Sequence, residues 1–369
     1  MHPDITDTAE TCSSSLQYGL SAEERRPSIW RKIYGFFGFA KGYNFPLCKY
    51  ILPVKPRSLL IQPGIIFAGA MLGFSLARLS YLNISGPASS SYVNGASPGE
   101  WYWYRSDHYR IGITLHLSTI LPAGLLMVWQ FVPAIRHKFL LFHRINGYVI
   151  IILVLFANAG ALMICRRSFG GTIETQVAVV ALVTASTVSM AMAYYNIKRL
   201  QIDQHRAWML RAMFYLGTII TLRIIMIISA QITSVVNSYH TVRSCDEIAF
   251  IYGSEAAAWN FYPQCNSTAD PKTNLVVVQA TFANGLPEQI GASLGMSFGM
   301  AMWLAFVLHL VGVEIYLSLT PRESNRLRQV SYERQLEKGL KNPGSAGLTA
   351  DRWGDAEAWR PESQIKVEA

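Results

Sequence analysis

Apolar residues run along this chain in stretches that neither alternate nor keep to one helical face. Six of them approach or exceed twenty residues: Leu59 to Tyr81, Ile111 to Val132, Tyr148 to Cys165, Val177 to Tyr195, Met209 to Val235 and Ile290 to Leu317. About twenty such residues cross the hydrocarbon of a bilayer as a helix, and a helix satisfies its own backbone there. The pattern predicts an all-α, polytopic membrane bundle of about six transmembrane helices. It divides the chain into an N-terminal segment, 1–57, a bundle, 58–319, with two long loops on one side, 82–109 and 237–288, and a charged tail, 320–369. Within 28–50, Ile29, Trp30, Ile33, Tyr34, Phe36 and Phe37 alternate with Arg31, Lys32 and Lys41, which predicts an amphipathic helix lying on the membrane surface. Pro53 and Pro56 break the chain before the first span. The tail reads as a short charged helix at most, fraying through Asn342 to Ser345.

Composition narrows the class. With 51% apolar and only 15% charged residues, this is not an ordinary soluble domain. The +9 net charge sets topology and does not signal nucleic acid, because no basic stripe with interleaved stacking residues stands free of the membrane. Of the 32 Lys and Arg residues, 24 fall in the two terminal segments and the short loops near 135–146 and 196–211, and only six in the loops between. The positive side faces the cytosol, so both termini are expected there and the long loops in the lumen of the endoplasmic reticulum or another endomembrane. Two glycosylation sequons, at Asn83 and Asn266, lie in those loops. So do Cys245 and Cys265, which an oxidising lumen permits to bond. The first 27 residues lack the apolar core of a signal peptide, so the first span is expected to serve as the targeting signal.

Polar residues inside the apolar runs are the candidates for chemistry. His116 lies one to two turns inside the second span, with Pro122 beyond it. A membrane histidine is either functional or a hydrogen-bond partner for a neighbouring helix. Arg223 lies near mid-span, where a lone charge costs at least ~2.5 kcal/mol, so it must find a partner, water or an anionic ligand, and by depth His116 is within reach. The segment Glu100-Trp101-Tyr102-Trp103-Tyr104-Arg105-Ser106-Asp107-His108-Tyr109 reads in two ways. It is an interfacial aromatic belt, or the mouth of a pocket in which acids donate protons and aromatic faces stabilise cations. The second long loop, with Asp246 and Trp259, is too long for a connector and is expected to cap that mouth. The chain carries no Cys/His spacing for zinc, no phosphate loop and no nucleophile elbow.

The set His116, His143-Arg144-x-x-Gly147-Tyr148, His205-Arg206-x-Trp208-Met209-x-Arg211 and Arg223 resembles a family of predicted membrane proteins of unknown function found in bacteria and fungi. The resemblance covers Ile111 to about Ile228. The fungal members look like the membrane-bound terpene cyclases of ascofuranone- and ascochlorin-type meroterpenoid pathways. That likeness implies an isomerase of secondary metabolism that protonates an epoxidised prenyl chain, with neither metal nor nucleotide. No cyclase motif matches position by position, so the roles come from chemistry. Asp107 or Glu100 is the expected proton donor, His116 its orienting or deprotonating partner, and Trp101, Trp103, Trp259 and Asp246 the lining. Two alternatives remain open on the sequence. One is a b-type haem oxidoreductase, in which His143, His205 and His309 near the cytosolic edge supply ligands. The other is a non-catalytic protein that binds lipid or a partner. The sequence leaves the oligomeric state open.

Overall fold

The computed structural model describes residues 62–132, 135 and 138–361. The expected surface helix at 28–50, Pro53, Pro56 and the start of the first span lie outside them, as do Arg136 and His137 of the basic turn. The described chain begins with α1 (Gln62–Arg78), the short α2 (Glu100–Tyr104), α3 (Asp107–Val128), α4 (Leu140–Ile164), α5 (Ile173–Lys198) and α6 (Ile202–Val236). It continues through β1 (His240–Ser244), α7 (Cys245–Tyr252), α8 (Glu255–Phe261), β2 (Leu275–Gln279), α9 (Pro287–Ser318) and α10 (Pro321–Glu337).

Among the described residues five helices, α3 to α6 and α9, are long and apolar enough to cross a bilayer. The fold is an all-α polytopic bundle. The sixth expected span is α1, of which 17 residues are described, with the shorter apolar stretch Ile66–Ala77. Several helices outrun the apolar stretches that announced them, because caps end a helix and hydropathy does not. Thr172 accepts from the Thr175 amide at the start of α5, Pro287 occupies the first turn of α9, and left-handed Asn237 closes α6.

Small residues set the closest crossing. Gly112 on α3 faces Gly160 on α4, so near that a side chain at either would strike the other helix. Pro122 stays inside α3, which remains one helix. α6 is the longest helix, 35 residues or about 52 Å at 1.5 Å per residue. It shares one buried cluster with α5 and α9 through Ala178, Val179, Leu222, Met226, Phe298 and Ala301.

The 237–288 loop is a folded unit. β1 and β2 pair antiparallel, Val242 opposite Val277, and with α7 and α8 they enclose Cys245, Ile248, Ala258, Cys265, Val276 and Val278. Cys245 and Cys265 are bonded. This two-stranded ladder is an addition to the helical pattern of the rest.

The tail corrects an expectation. Residues 342–345 do not fray; they fold back onto the α5–α6 turn. Gln201 donates to the Gly344 carbonyl (3.0 Å) and accepts from the Gly347 amide (3.0 Å), and Asn196 accepts from the Leu348 amide (2.8 Å). From α10, Gln335 donates to Gln201 and accepts from the Gly344 amide (2.7 Å). Buried amide side chains in the turn between spans thus supply the partners that a polar tail would otherwise take from water.

Candidate functional site

At the end of the bundle that carries the two long loops, three segments converge on one face of α9. Gly291, Gly295 and Gly299, four residues apart, leave room for backbone to approach. A side chain at Gly291 would collide with the Pro98 carbonyl, at Gly295 with the Phe169 carbonyl, and at Gly299 with Glu174. The approach of the first segment also requires Gly99, at φ +93°, where a side chain would meet Arg243 and Glu247. Immediately after it, Glu100 opens α2 and is turned inward.

Glu100 is 8% exposed. Its Oε1 accepts the Phe169 amide at 3.2 Å. Tyr92, Tyr104, Ile113, Leu117 and Ile164 form the apolar cluster of this region, with Trp101 and Trp103 against it. Burial pushes the Glu100 carboxyl above the ordinary carboxylate range, against the opposing pull of Arg223, the Phe169 and Ser97 amides and Arg243. Burial and the nearby Glu100 carboxyl raise the Tyr92 and Tyr104 phenols well above their usual value. Tyr104 shares a hydrogen bond with Ser168 at 2.9 Å.

Phe169 joins the acid to the arginine. Its amide serves Glu100, its ring stacks on Phe298 (centroids 4.2 Å apart, 5° between planes), and the Arg223 guanidinium lies 4.8 Å from the same ring. Phe169 holds φ +48°, ψ +49°, a left-handed conformation that costs a non-glycine residue of order 1–2 kcal/mol. Gly170 and Gly171 follow with positive φ. Arg223 therefore finds its partners in aromatic faces from the α4–α5 loop and α9 and lies within electrostatic reach of Glu100, whereas by depth alone the sequence places His116 within its reach.

His116 uses one ring nitrogen in the helix crossing. Its Nδ1 lies 2.9 Å from the Ala157 carbonyl across the α3–α4 crossing. Asp107 is not buried as Glu100 is. It is exposed at the first turn of α3, beside an open groove of about 470 Å³ lined by Asp107, Arg110, Ile111, Thr114, Leu115 and Ser118. The expected aromatic lining is also divided. Trp101 and Trp103 lie in the Glu100 cluster, Trp103 beneath Arg167 at 3.6 Å, whereas Trp259 packs on the disulfide core. Asp246 accepts from Tyr102 at 2.6 Å, which ties the second loop to α2. Burial and that hydrogen bond push the Tyr102 phenol up to about 12. Beside it Arg243 and Glu247 form an ion pair, and burial raises Glu247 against the pull of Arg243. Asn83 and Asn266 are both exposed.

The remaining pattern residues lie at the other end. His205 Nδ1 is 2.9 Å from the Ala193 carbonyl. Arg206 donates to Thr320 at 3.2 Å, and Arg211, over Trp208, grips Glu314 with two bonds of 2.6 and 2.9 Å. The His143 carbonyl accepts from Gln130 at 3.3 Å, and Arg144 is exposed. Within that pattern Asn146 is buried and donates to the Leu126 carbonyl at 3.0 Å. His309 bonds Thr221 at 2.7 Å, sixteen residues along α6 from His205. That is about 24 Å of helix, too far for these two histidines to face each other across one group.

Sequence reasoning missed Phe169, Phe298, Tyr92 and the α9 glycines. The Gly-x-x-x-Gly-x-x-x-Gly spacing at 291, 295 and 299 was the available signal for the glycines; nothing local announces Phe169.

Residues 113–249 match a family described as predicted membrane protein (DUF2306), and this stretch contains His116, both histidine–arginine patterns and Arg223. The chain is similar to the Ava biosynthesis cluster protein G of Aspergillus versicolor, 21% identical over 323 residues that cover 75% of this chain and 93% of that protein. No solved structure matches the chain. Helices and similarity agree on a multi-pass membrane protein related at a distance to a protein of a fungal biosynthesis cluster.

Proposed function

We propose that this protein is an integral-membrane terpene cyclase of fungal secondary metabolism, an isomerase acting on an epoxidised prenyl chain, with Glu100 as the proton donor. The observation that carries the reading is Glu100 itself: a buried carboxyl, raised by burial, in a nest of Tyr92, Trp101, Tyr104 and Phe169 and within the field of Arg223. The relative from a biosynthesis cluster supports a metabolic role.

The chemistry follows from that setting. A carboxyl that burial makes hold its proton more tightly than an ordinary one can give that proton to an epoxide oxygen. As the O–H bond forms, the C–O bond to the more substituted carbon breaks, and the electron pair of the neighbouring alkene closes the ring. Aromatic faces stabilise the travelling cation. The final cation loses a proton to the Glu100 carboxylate left by the first step, so the product is an isomer of unchanged mass. Arg223 favours that carboxylate and so eases its formation.

The test uses microsomes of a yeast that expresses the full chain, given an epoxyfarnesyl aryl substrate, with products read by mass and retention. The expected product has the mass of the substrate and a new retention time. Glu100→Gln is expected to slow its formation by 10²–10⁴-fold, the usual worth of a positioned general acid, at equal membrane abundance. Full activity of Glu100→Gln would refute the assignment of the donor. No turnover by the folded wild type would refute the cyclase.

A further inference from the structure

A two-stranded ladder that covers a protein core on one face normally turns polar residues outward on the other. β1 and β2 depart from this at Val242, Leu275 and Val277. Val276 and Val278 point into the disulfide core, 2% and 0% exposed, and opposite them in register stand Arg243 and Thr241. Arg243 is turned inward to its ion pair with Glu247. The outward face has Val242 opposite Val277 at its centre, 58% and 60% exposed, Leu275, 59% exposed, opposite Ser244 at one end, and His240 opposite Gln279 at the end joined to α6. The ladder hides its charge and presents its valines.

That face continues a surface already given to lipid. Along α6, Ile224, Ile228, Ile232 and Val235 are exposed at intervals of four, four and three, the stripe of a helix side in contact with acyl chains. Val236 ends the helix, and Tyr239 and then Val242 follow beyond it, all exposed. The join is short and fixed. Gln279 donates to the backbone and side-chain oxygens of Asn237 at 3.2 and 3.0 Å, and the Ala280 amide donates to the Tyr239 carbonyl at 2.9 Å. Tyr239 at the join is the residue type that favours the headgroup level. The apolar part of α6, Met209 to Val235, is about 40 Å long at 1.5 Å per residue, against about 40–45 Å for a bilayer with its headgroups, so the ladder begins at the headgroup level.

We propose that the outward face of the β1–β2 ladder is seated in the lipid headgroup region of the adjoining leaflet. The unit beside Glu100 is then a membrane-embedded cap and not a domain surrounded by water. This holds whether or not the protein cyclises a terpene.

The test is fluorescence of the full chain in phosphatidylcholine vesicles, with Cys12, Cys48 and Cys165 replaced by Ser and the Cys245–Cys265 disulfide retained. An environment-sensitive dye is placed at Val242→Cys or Val277→Cys, with Val235→Cys as the lipid reference and Lys272→Cys as the aqueous one. Both ladder positions are expected to be quenched by headgroup-spin-labelled lipid as strongly as position 235, and at least threefold less than position 272 by aqueous iodide. Iodide quenching equal to that at position 272 would overturn the proposal. So would shielding from both quenchers: with Val277→Cys cross-linking between copies, a second chain covers the face, and without it another partner does. Two labelled positions and an intact disulfide on a non-reducing gel guard against a misfolded variant.

Discussion

Gly160→Ala tests how tightly α3 and α4 are joined. A Cβ at Gly160 would lie 2.7 Å from the Gly112 carbonyl oxygen, 2.7 Å from the His116 amide nitrogen and 3.0 Å from the His116 Cα. Real Cβ atoms essentially never come closer than 3.0 Å, and contacts under 3.4 Å are tighter than nine in ten. The helices must therefore part by 3.0 minus 2.7 to 3.4 minus 2.7, or 0.3–0.7 Å. All three neighbours are backbone, so no side chain can rotate away. Overpacking of this kind costs about 1–3 kcal/mol, and the same movement stretches the His116–Ala157 bond, one of a class worth about 0.6 kcal/mol between membrane helices. Alanine also gains helix propensity over glycine, about 0.8–1.0 kcal/mol. Gly312→Ala in α9 isolates that gain, because nothing lies within 4 Å of its would-be Cβ. The expected outcome is that Gly160→Ala is less stable than Gly312→Ala by about 1.5–3.5 kcal/mol. Equilibrium unfolding by dodecyl sulfate in mixed micelles measures the difference. Stabilities within 0.5 kcal/mol of one another would show that the crossing is loose and that His116 is not held by it.

Three further outcomes are expected. Burial raises the Glu100 carboxyl, so the folded protein keeps a proton that the unfolded chain releases near pH 4.3; the stability it contributes is present below that pH and falls as pH rises through the raised value. The stability of wild type relative to Glu100→Gln should therefore decline from pH 4.5 toward neutrality, and a constant difference would contradict the raised carboxyl. Ending the chain at Leu340 takes the Leu348 amide from Asn196, the Gly344 carbonyl and Gly347 amide from Gln201, and the Gly344 amide from Gln335. At about 1–3 kcal/mol for each orphaned group, the truncated chain should melt lower in detergent, and an unchanged melt would show that the tail is not part of the fold. Tyr102→Phe removes the bond to Asp246 and should lower stability by about 0.5–1.5 kcal/mol. If Asp246→Ala on the Tyr102→Phe background adds its full single-mutant cost, the two side chains are not coupled.

The bundle was legible because hydrocarbon imposes one rule on every residue that crosses it, and twenty-residue apolar runs obey it whatever else the sequence does. The site was only half legible. Glu100, Trp101 and Trp103 stood out because acids and tryptophans are conspicuous beside a membrane, but the same argument favoured Asp107, seven residues on. What separates the two acids is a backbone event: Gly99 turns the chain so that Glu100 enters the bundle, while Asp107 opens α3 facing outward. Arg223 announced its need for a partner and concealed its identity, since the answer, Phe169, belongs to a loop held in a left-handed conformation by its packing on α9. The tail misled for a similar reason. Asn342-Pro343-Gly344-Ser345 has the composition of a frayed end, and side chains outside it order it, Asn196 and Gln201 from the α5–α6 turn and Arg328 and Gln335 from α10.

The relation between Glu100 and Arg223 bears most directly on the proposed chemistry. Among the described residues no ion pair within 4 Å joins them; Phe169 meets both, with its amide on one and its ring under the other. A direct salt bridge would hold the carboxyl ionised and useless as an acid at neutral pH. Removing the arginine would take away the largest pull toward the carboxylate that proton donation creates, leaving the Phe169 and Ser97 amides and the more weakly felt Arg243. An offset arrangement serves both demands: burial keeps the proton, and a cation beyond the aromatic ring lowers the cost of giving it up. Arg223→Lys keeps the charge and loses the planar stack on Phe169, whereas Arg223→Leu loses both. If charge at a distance is what matters, Lys should retain a measurable part of the cyclisation rate and Leu should not. Equal loss in the two variants would assign Arg223 to seating Phe169 and leave Glu100 to act alone.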